Sequence, residues 1–152
     1  MVAFPPTTSS VLIVDDNAMN LDVLFTYLDS QGFEVFVALS GIDALEQINY
    51  ITPDIILLDV MMPDLDGFEV CQRLKQHAST KNIPIIFMTA LADSQSKAKG
   101  FQVGGADYIT KPIQYEELLI RVNTQLTLKK LVKQNADLQQ EIIAYKYANL
   151  EC

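Results

Sequence analysis

The sequence is poor in several features that define other classes of protein. Its two cysteines, Cys71 and Cys152, are far apart and form neither a disulfide framework nor a zinc-ligand pattern. No apolar run approaches the roughly 20 residues that span a bilayer. The first ten residues lack the basic start and the apolar stretch of a signal peptide. These absences predict a protein of the reducing cytoplasm that does not bind membranes.

Basic residues are scarce as well. Eleven Lys and Arg against 19 Asp and Glu give a formal net charge of −8, and the basic residues are not clustered. A surface that grips the phosphate backbone of a nucleic acid needs the opposite balance of charge. We therefore expect no direct binding of nucleic acid by this chain.

What the sequence does contain is an alternation of strand-like and helix-like segments. Its 152 residues are 49% apolar, which is enough for one domain with its own core. Stretches with helical spacing separate five short apolar runs, which are VLIV (11–14), EVFVA (34–38), IILL (55–58), IPIIFM (83–88) and DYI (107–109). Because most of these runs are apolar throughout, they predict a parallel sheet with helices on both faces. The expected fold is a doubly wound α/β domain over residues 10–127.

The helical stretches carry their own end signals and inner faces. Asn17 is placed to cap the first helix. In the second helix Ile42 is expected to face inward, and in the fourth Phe101 is one of the few side chains available for burial. Asp64 and Asp66 are assigned to the turn before the third helix and to the start of that helix.

Polar side chains follow four of the strands. Asp15 and Asp16 come after the first strand, Asp59 after the third, Thr89 after the fourth and Lys111 after the fifth. Because the carboxyl ends of parallel strands lie along one edge of the sheet, these side chains should converge there. Three neighbouring carboxylates need a proton or a cation between them, and an all-oxygen site suits Mg²⁺, with Mn²⁺ as an alternative. The sequence therefore predicts a site that holds a phosphoryl group beside a metal ion, with Lys111 and Thr89 on the remaining phosphoryl oxygens.

Each of these residues also has an ordinary structural explanation when it is taken alone. A pair of aspartates after a strand can cap a helix, Thr89 can be a plain strand residue, and Lys111 can be a solvated charge. Their joint placement at four strand ends favours the functional interpretation.

The residues along this edge resemble the receiver domain of two-component response regulators. The resemblance is carried by the pair Asp15 and Asp16, by LLDVMMPDLDG around Asp59, by MTA with Thr89, and by DYITKP with Lys111, and it covers about residues 10–127. It implies a flavodoxin-like fold, similar to that of chemotaxis regulators, with strand order 2-1-3-4-5. It also implies that the chain receives a phosphoryl group from the phosphohistidine of a histidine kinase or phosphotransfer protein.

The resemblance assigns Asp59 as the residue that is phosphorylated. Asp16 would ligate Mg²⁺ directly and Asp15 largely through water. Asp59 itself and the backbone carbonyl of Met61 would complete the protein ligands.

A second group of roles concerns the phosphoryl oxygens and the response to them. Thr89 and the backbone N–H of Ala90 would bind these oxygens, and Lys111 would neutralise them. Thr89 and Tyr108 would form a switch in which Tyr108 turns inward behind Thr89. The affected surface would comprise the fourth helix, the fifth strand and the fifth helix. The resemblance also implies a cis bond between Lys111 and Pro112.

Beyond residue 127 the pattern changes to a heptad repeat, and about three and a half heptads are present. The seam positions are Leu128, Leu131, Asn135, Leu138, Ile142, Tyr145, Asn149 and Cys152. Asn135 at an a position favours a parallel two-stranded register, in which Glu141 reaches Lys146 of the partner chain. We predict that residues 128–152 continue the fifth helix and form a parallel coiled-coil homodimer, together with the surface just described. The alternative is an amphipathic helix folded back on the domain.

Other functions fit parts of the sequence less well. A Mg²⁺-dependent phosphatase or phosphotransferase for small molecules would need a cap or substrate pocket, and no insertion is long enough to build one. A flavin-binding electron carrier would need a phosphate-cradling loop where VDDNAMN is acidic. A pseudo-receiver that only dimerises would lack site residues, and none is missing. We therefore predict a signalling domain that catalyses only its own phosphorylation and dephosphorylation.

The ends of the chain carry two further expectations. Residues 1–9 are predicted to be a flexible N-terminal segment. The last residues contain no helix-ending glycine or proline. Either the protein is short or the helix continues into an output module, and we favour the continuation because a signalling helix with nothing attached has little to drive. An alternative to a response regulator is the N-terminal regulatory receiver of a longer sensor kinase or nucleotide cyclase.

Overall fold

The computed structural model describes residues 8–90 and 93–150. Five strands and five helices alternate along them, in the order β1 (Ser10–Val14), α1 (Ala18–Ser30), β2 (Glu34–Ala38), α2 (Gly41–Gln47), β3 (Ile55–Asp59), α3 (Gly67–Lys75), β4 (Ile85–Thr89), α4 (Ser94–Gln102), β5 (Asp107–Thr110) and α5 (Tyr115–Leu150). The strands form one sheet in the order β2-β1-β3-β4-β5, and all four neighbouring pairs are parallel. This confirms the predicted doubly wound α/β fold and its 2-1-3-4-5 order.

The sheet has a separate hydrophobic core on each face, because successive residues of a strand point to opposite sides. On one face Leu12, Ile56 and Phe87 are buried under α2, α3 and α4. On the other face Ile13 and Leu57 are buried under α1 and α5. Because both faces are covered, β1, β3 and β4 are apolar at every position except one end residue each, as parallel strands in such folds usually are.

The observed strands differ from the predicted ones mainly at β4, which begins at Ile85 rather than Ile83. Pro84 has no N–H to donate to a neighbouring strand, although its carbonyl accepts a hydrogen bond of 3.0 Å from Ile56 N–H. At their other ends β3 and β4 include Asp59 and Thr89. Two of the candidate site residues are therefore the last residues of their strands.

The inward positions predicted for α2 and α4 were wrong at two places. Ile42 is 52% exposed and Phe101 is 54% exposed. The buried contacts are made instead by Gly41 and Gly100. A Cβ added at Gly41 would lie 2.8 Å from Val70 Cγ2, so the backbone of α2 approaches the core directly and the next side chain turns outward.

Aspartate and asparagine side chains cap three helices, which are α1 (Asn17), α3 (Asp66) and α4 (Asp93). Asn17 Oδ1 accepts hydrogen bonds from two N–H groups in the first turn of α1, as predicted. Asp66 caps α3 by accepting from Glu69 N–H at 2.9 Å, also as predicted.

Asp64 acts on a different helix from the one expected. Its carboxylate accepts hydrogen bonds from the N–H groups of Gly41 at 3.3 Å and Ile42 at 2.9 Å, which belong to the start of α2. A negative charge is stabilised at that end of a helix. The hydrogen bond from Ile42 is the main reason that the pKa of Asp64 lies below its ordinary value.

The last helix runs far beyond the sheet. α5 has 36 residues, and its buried side chains are Leu118 and Val122 near its start. Every residue from 130 to 150 is exposed. The predicted continuation of the fifth helix is therefore confirmed, and the described part of it does not fold back on the domain.

Two predictions lie partly outside the described residues. These are the flexible N-terminal segment, of which residues 1–7 are not described, and the last two positions of the coiled-coil helix. Within residues 8–90 and 93–150, no helix combines the length and the apolar surface that a transmembrane segment requires.

Candidate functional site

Three carboxylates meet at the carboxyl ends of β1 and β3. Oxygen atoms of Asp15, Asp16 and Asp59, one from each side chain, all lie within 4.8 Å of one another. Asp15 and Asp59 are buried and Asp16 is exposed. β1 and β3 are adjacent parallel strands, so the residues that end them are neighbours across the sheet.

Lys111 connects the two buried carboxylates of this cluster. Its Nζ lies 3.2 Å from Asp15 Oδ2 and 3.4 Å from Asp59 Oδ1. Its backbone N–H donates to Thr89 O at 2.8 Å, which fixes the end of β5 beside β4. The bond from Lys111 to Pro112 is cis, as predicted.

Burial raises the pKa of Asp59 from 3.8 to about 6, and the negative charge of Asp15 adds to this effect. Lys111 and the backbone N–H of Met61 favour the ionised carboxylate but do not cancel the increase. The cluster is therefore short of positive charge. An oxygen-only donor set of this kind, with one neighbouring ammonium group, fits Mg²⁺.

The raised pKa of Asp59 predicts a specific dependence of stability on pH. Because the folded chain binds this proton more tightly than the unfolded chain, the Asp59 contribution to the free energy of unfolding is fully present only below the ordinary pKa of 3.8. It falls as the pH rises from there through about 6, by an amount on the order of 2–3 kcal/mol. Asp59→Asn should therefore be more stable than the wild type by this amount at about pH 7.5, and of similar stability at about pH 3.

Urea unfolding of both proteins at the two pH values, without divalent ions, measures this difference. Comparison with the variant removes the contributions of the other titrating groups. An advantage of Asp59→Asn that stays constant between the two pH values would contradict the prediction.

Thr89 and Tyr108 are in contact behind the carboxylate cluster. Thr89 is buried at the end of β4, one residue past Met88, the β4 partner of Asp59. Its side chain forms a hydrogen bond with that of Tyr108. The Tyr108 ring is only 7% exposed, and its burial raises the pKa of the phenol. Ala90 follows Thr89 in an exposed bend.

One residue of the site was missed in the sequence. Gly67, the first residue of α3, donates its N–H to Val60 O at 2.8 Å. A Cβ at this position would overlap the carbonyl oxygen of Asp59 and lie 2.9 Å from Val60 Cα. The available signal was a glycine directly after the capping Asp66, where most other residues are better helix formers.

Comparison with known proteins decides the family. The sequence profile of the response regulator receiver domain matches residues 11–123. The chain belongs to the response regulator receiver domain family. Receiver domains are phosphoacceptors of two-component signalling that bind Mg²⁺ through acidic residues, and response regulators interact with histidine kinases or phosphotransfer proteins. In this chain the acidic cluster is formed by Asp15, Asp16 and Asp59.

Similar proteins agree with this assignment. The receiver chain is 40% identical over 126 residues to the DNA-binding dual master transcriptional regulator RpaA of Synechocystis. The matched residues make up 83% of this chain and 52% of that protein. It is also 42% identical over 125 residues to the response regulator PleD of Caulobacter vibrioides. Here the matched residues make up 82% of this chain and 27% of that protein. The receiver chain thus spans about half or less of these curated relatives.

A solved structure gives the same result for the fold. A putative response regulator from Chloroflexus aurantiacus is 40% identical, with a TM-score of 0.76 over 80% of this chain and 99% of that one. The receiver chain therefore matches almost the whole of that solved chain.

Proposed function

We propose that Asp59 is the phosphorylated residue and that it receives its phosphoryl group from a phosphohistidine in the cytoplasm. The observation that carries the proposal is a buried carboxylate at a strand end, grouped with two more carboxylates and one ammonium ion. A carboxylate oxygen of Asp59 would form a bond to phosphorus while the phosphorus–nitrogen bond of the donor breaks. The electron pair of that bond would leave on the imidazole nitrogen, which takes up a proton from solvent.

Asp15, Asp16, Asp59 and the backbone carbonyl of Met61 would hold Mg²⁺, or Mn²⁺ in its place. When bound, the ion would offset the charge of the carboxylates and polarise the phosphoryl group. The exposure of Asp16 supports direct ligation by this residue. Asp15 already accepts hydrogen bonds on both oxygens, from Asn17 N–H and Lys111, which supports a role largely through water.

Lys111, Thr89 and Ala90 would receive the phosphoryl oxygens. The ammonium group of Lys111 is already 3.4 Å from Asp59 and would neutralise part of the added charge. Thr89 and the backbone N–H of Ala90 would donate hydrogen bonds. The contact between Thr89 and Tyr108 supports treating this pair as the switch that responds to phosphorylation.

The intact mass of the chain after incubation with a small-molecule phosphodonor tests this function. We expect a gain of one phosphoryl group with Mg²⁺ and none when the ion is removed by a chelator. With the phosphodonor we expect phosphate to be released no faster than the aspartyl phosphate hydrolyses, since the domain would catalyse only its own phosphorylation and dephosphorylation. Continuous hydrolysis of phosphate monoesters, which lack the reactive leaving group of a phosphodonor, would instead favour the phosphatase alternative.

We further propose that the phosphorylated state is transmitted through α4, β5 and α5 to the extended helix. Arg121 Nη1 of α5 contacts both carboxylate oxygens of Asp107 in β5, each at 2.9 Å. The strand that carries Tyr108 is thereby tied to the helix that carries the heptad seam. This connection supports a path from the site to the helix.

The heptad seam is proposed to hold two chains together as a parallel coiled coil. Its apolar side chains are exposed in the single chain, for example Leu131 and Leu138 at 54% each. A shallow groove of about 410 Å³, lined by Ile120, Thr124 and Leu128 among others, continues this surface toward the domain. A row of exposed apolar residues of this length favours a partner helix.

Leu138→Lys is expected to weaken self-association roughly tenfold or more, because it places a charge at a d position of both helices. Ile143→Lys is the matched control, since Ile143 is 53% exposed on the same helix but lies at a b position outside the seam. Sedimentation equilibrium over a range of concentrations measures both variants. Equal effects of the two substitutions would argue against the proposed seam.

We also propose that the extended helix leads to an output module such as a histidine kinase or a nucleotide cyclase. The lengths of the curated relatives support this, because this chain covers only 52% of RpaA and 27% of PleD.

A further inference from the structure

Three aromatic rings form a row beneath α4. The ring centroids of Phe68 and Phe87 are 5.3 Å apart, and those of Phe87 and Tyr108 are 6.4 Å apart. Gly100 is the buried residue of α4, and a Cβ at this position would lie 3.1 Å from Phe87. The position of α4 on the sheet is therefore set by contact with rings rather than by apolar side chains of its own.

Two lysines of α4 lie over the two ends of this row. Lys97 Nζ is 5.9 Å from the centroid of Tyr108, and Lys99 Nζ is 5.0 Å from the centroid of Phe68. A cation attracts the face of an aromatic ring within about 6 Å. The two contacts are of the same kind, but they differ in the ring: Phe68 is a core residue of α3, whereas Tyr108 belongs to the proposed switch.

We propose that Lys97 is a positioning residue that holds Tyr108 in the buried, inward position and so increases the fraction of chains ready to bind a phosphoryl group. The proposal rests on the proposed function of Thr89 and Tyr108. In the inward position the phenol reaches Thr89 and the ring face is presented to the ammonium group of Lys97. A ring turned outward would move away from Thr89, which is buried, and from its present place beneath Lys97.

The contact also links the ring to α4. Because Lys97 is part of α4, its attraction for the inward ring favours one placement of the helix over others. Lys97 is exposed, and an attraction of this class at an exposed site changes a two-state ratio by roughly two- to fivefold. The apparent affinity for a phosphoryl mimic scales with the fraction of chains in the competent state.

The test measures the binding of beryllofluoride, a mimic of the phosphoryl group, to the full chain in the presence of Mg²⁺. Fluorine NMR gives the apparent dissociation constant for the wild type, Lys97→Met, Lys97→Arg and Lys99→Met. Carbon-labelled tyrosine, with the Tyr108 signal assigned by its loss in Tyr108→Phe, reports the position of the ring. We expect Lys97→Met to bind more weakly, by up to about fivefold, and to shift the Tyr108 signal toward that of an exposed ring. Lys97→Arg keeps a cation at this position and should match the wild type in both affinity and Tyr108 signal. Lys99→Met should change neither the affinity nor the Tyr108 signal.

The outcomes separate this inference from the proposed function. If the wild type does not bind beryllofluoride, the proposed function is overturned, together with the inference that rests on it. If the wild type binds but Lys97→Met binds equally well with an unchanged Tyr108 signal, only the role of Lys97 is overturned. An equal loss in Lys97→Met and Lys99→Met would likewise overturn it, because the effect would then reflect general loosening of α4.

Discussion

Asp59→Asn is expected to abolish the gain of one phosphoryl group that the wild type shows with a small-molecule phosphodonor and Mg²⁺. Asparagine has nearly the same shape as aspartate, but its neutral amide is not a nucleophile toward phosphorus. It also removes a negative charge from the metal ligands. Intact mass spectrometry of both proteins under the same conditions measures the effect.

The fold of this variant should be intact. Asp59 is 4% exposed and its carboxylate faces that of Asp15, so neutralising it removes the cost of a buried charge and a repulsion, which together outweigh its attraction to Lys111. Loss of phosphorylation can therefore be separated from unfolding, since the same variant is predicted to gain stability above pH 6. A variant that neither folds nor accepts a phosphoryl group would contradict both expectations.

Asp66→Asn is the matched control for this substitution. It makes the same chemical change at the cap of α3, where asparagine is as good a capping residue as aspartate. Phosphorylation should be retained in this variant. If Asp59→Asn still gained a phosphoryl group, the acceptor would be a different residue, and peptide mapping of the product would locate it.

The convergence of the carboxylates was predictable because it follows from topology. Once the apolar runs indicate parallel strands, the residues that follow each strand must lie along one edge. Asp15, Asp59 and Lys111 are brought together in this way although they are far apart in the sequence. The altered pKa of Asp59 was not predictable, because it depends on burial and on the distance to Asp15.

Two kinds of contact could not be predicted from the sequence. They are the close packing of helix backbone at glycines and the polar contacts between residues that are distant in the sequence. Gly41 and Gly100 carry no hydrophobic side chain, so a search for apolar periodicity overlooks them and favours Ile42 and Phe101. Asp64 caps a helix that precedes it in the sequence by more than 20 residues. The pairing of Lys97 with Tyr108 likewise needs the placement of α4 on the sheet.

Gly67→Ala is expected to destabilise the fold by about 3 kcal/mol or more. Helix propensity alone predicts the opposite sign, because alanine at a helical position is better than glycine by about 1 kcal/mol. The clash of the new Cβ with the backbone of Asp59 and Val60 should dominate, since neither the strand end nor the start of α3 has a flexible side chain that can yield. The sign of the change therefore distinguishes packing from propensity.

Gly32→Ala separates the steric effect from backbone strain. Gly32 has a φ of +91°, and no atom lies within 4 Å of its added Cβ, so the substitution costs conformational strain alone, about 1 kcal/mol. Urea unfolding at one pH gives the free energy of unfolding for both variants and the wild type. A Gly67→Ala chain as stable as the wild type would show that the junction of β3 and α3 can shift.

That shift would have its own consequence, because the carbonyl that the new methyl group meets belongs to Asp59 itself. A chain that relieves the clash by moving this peptide also moves the acceptor carboxylate relative to Asp15 and Lys111. Displacements of about 1 Å at a reacting group can reduce rates by roughly a hundredfold. We therefore expect any folded Gly67→Ala protein to be phosphorylated far more slowly than the wild type, which time-resolved intact mass measures.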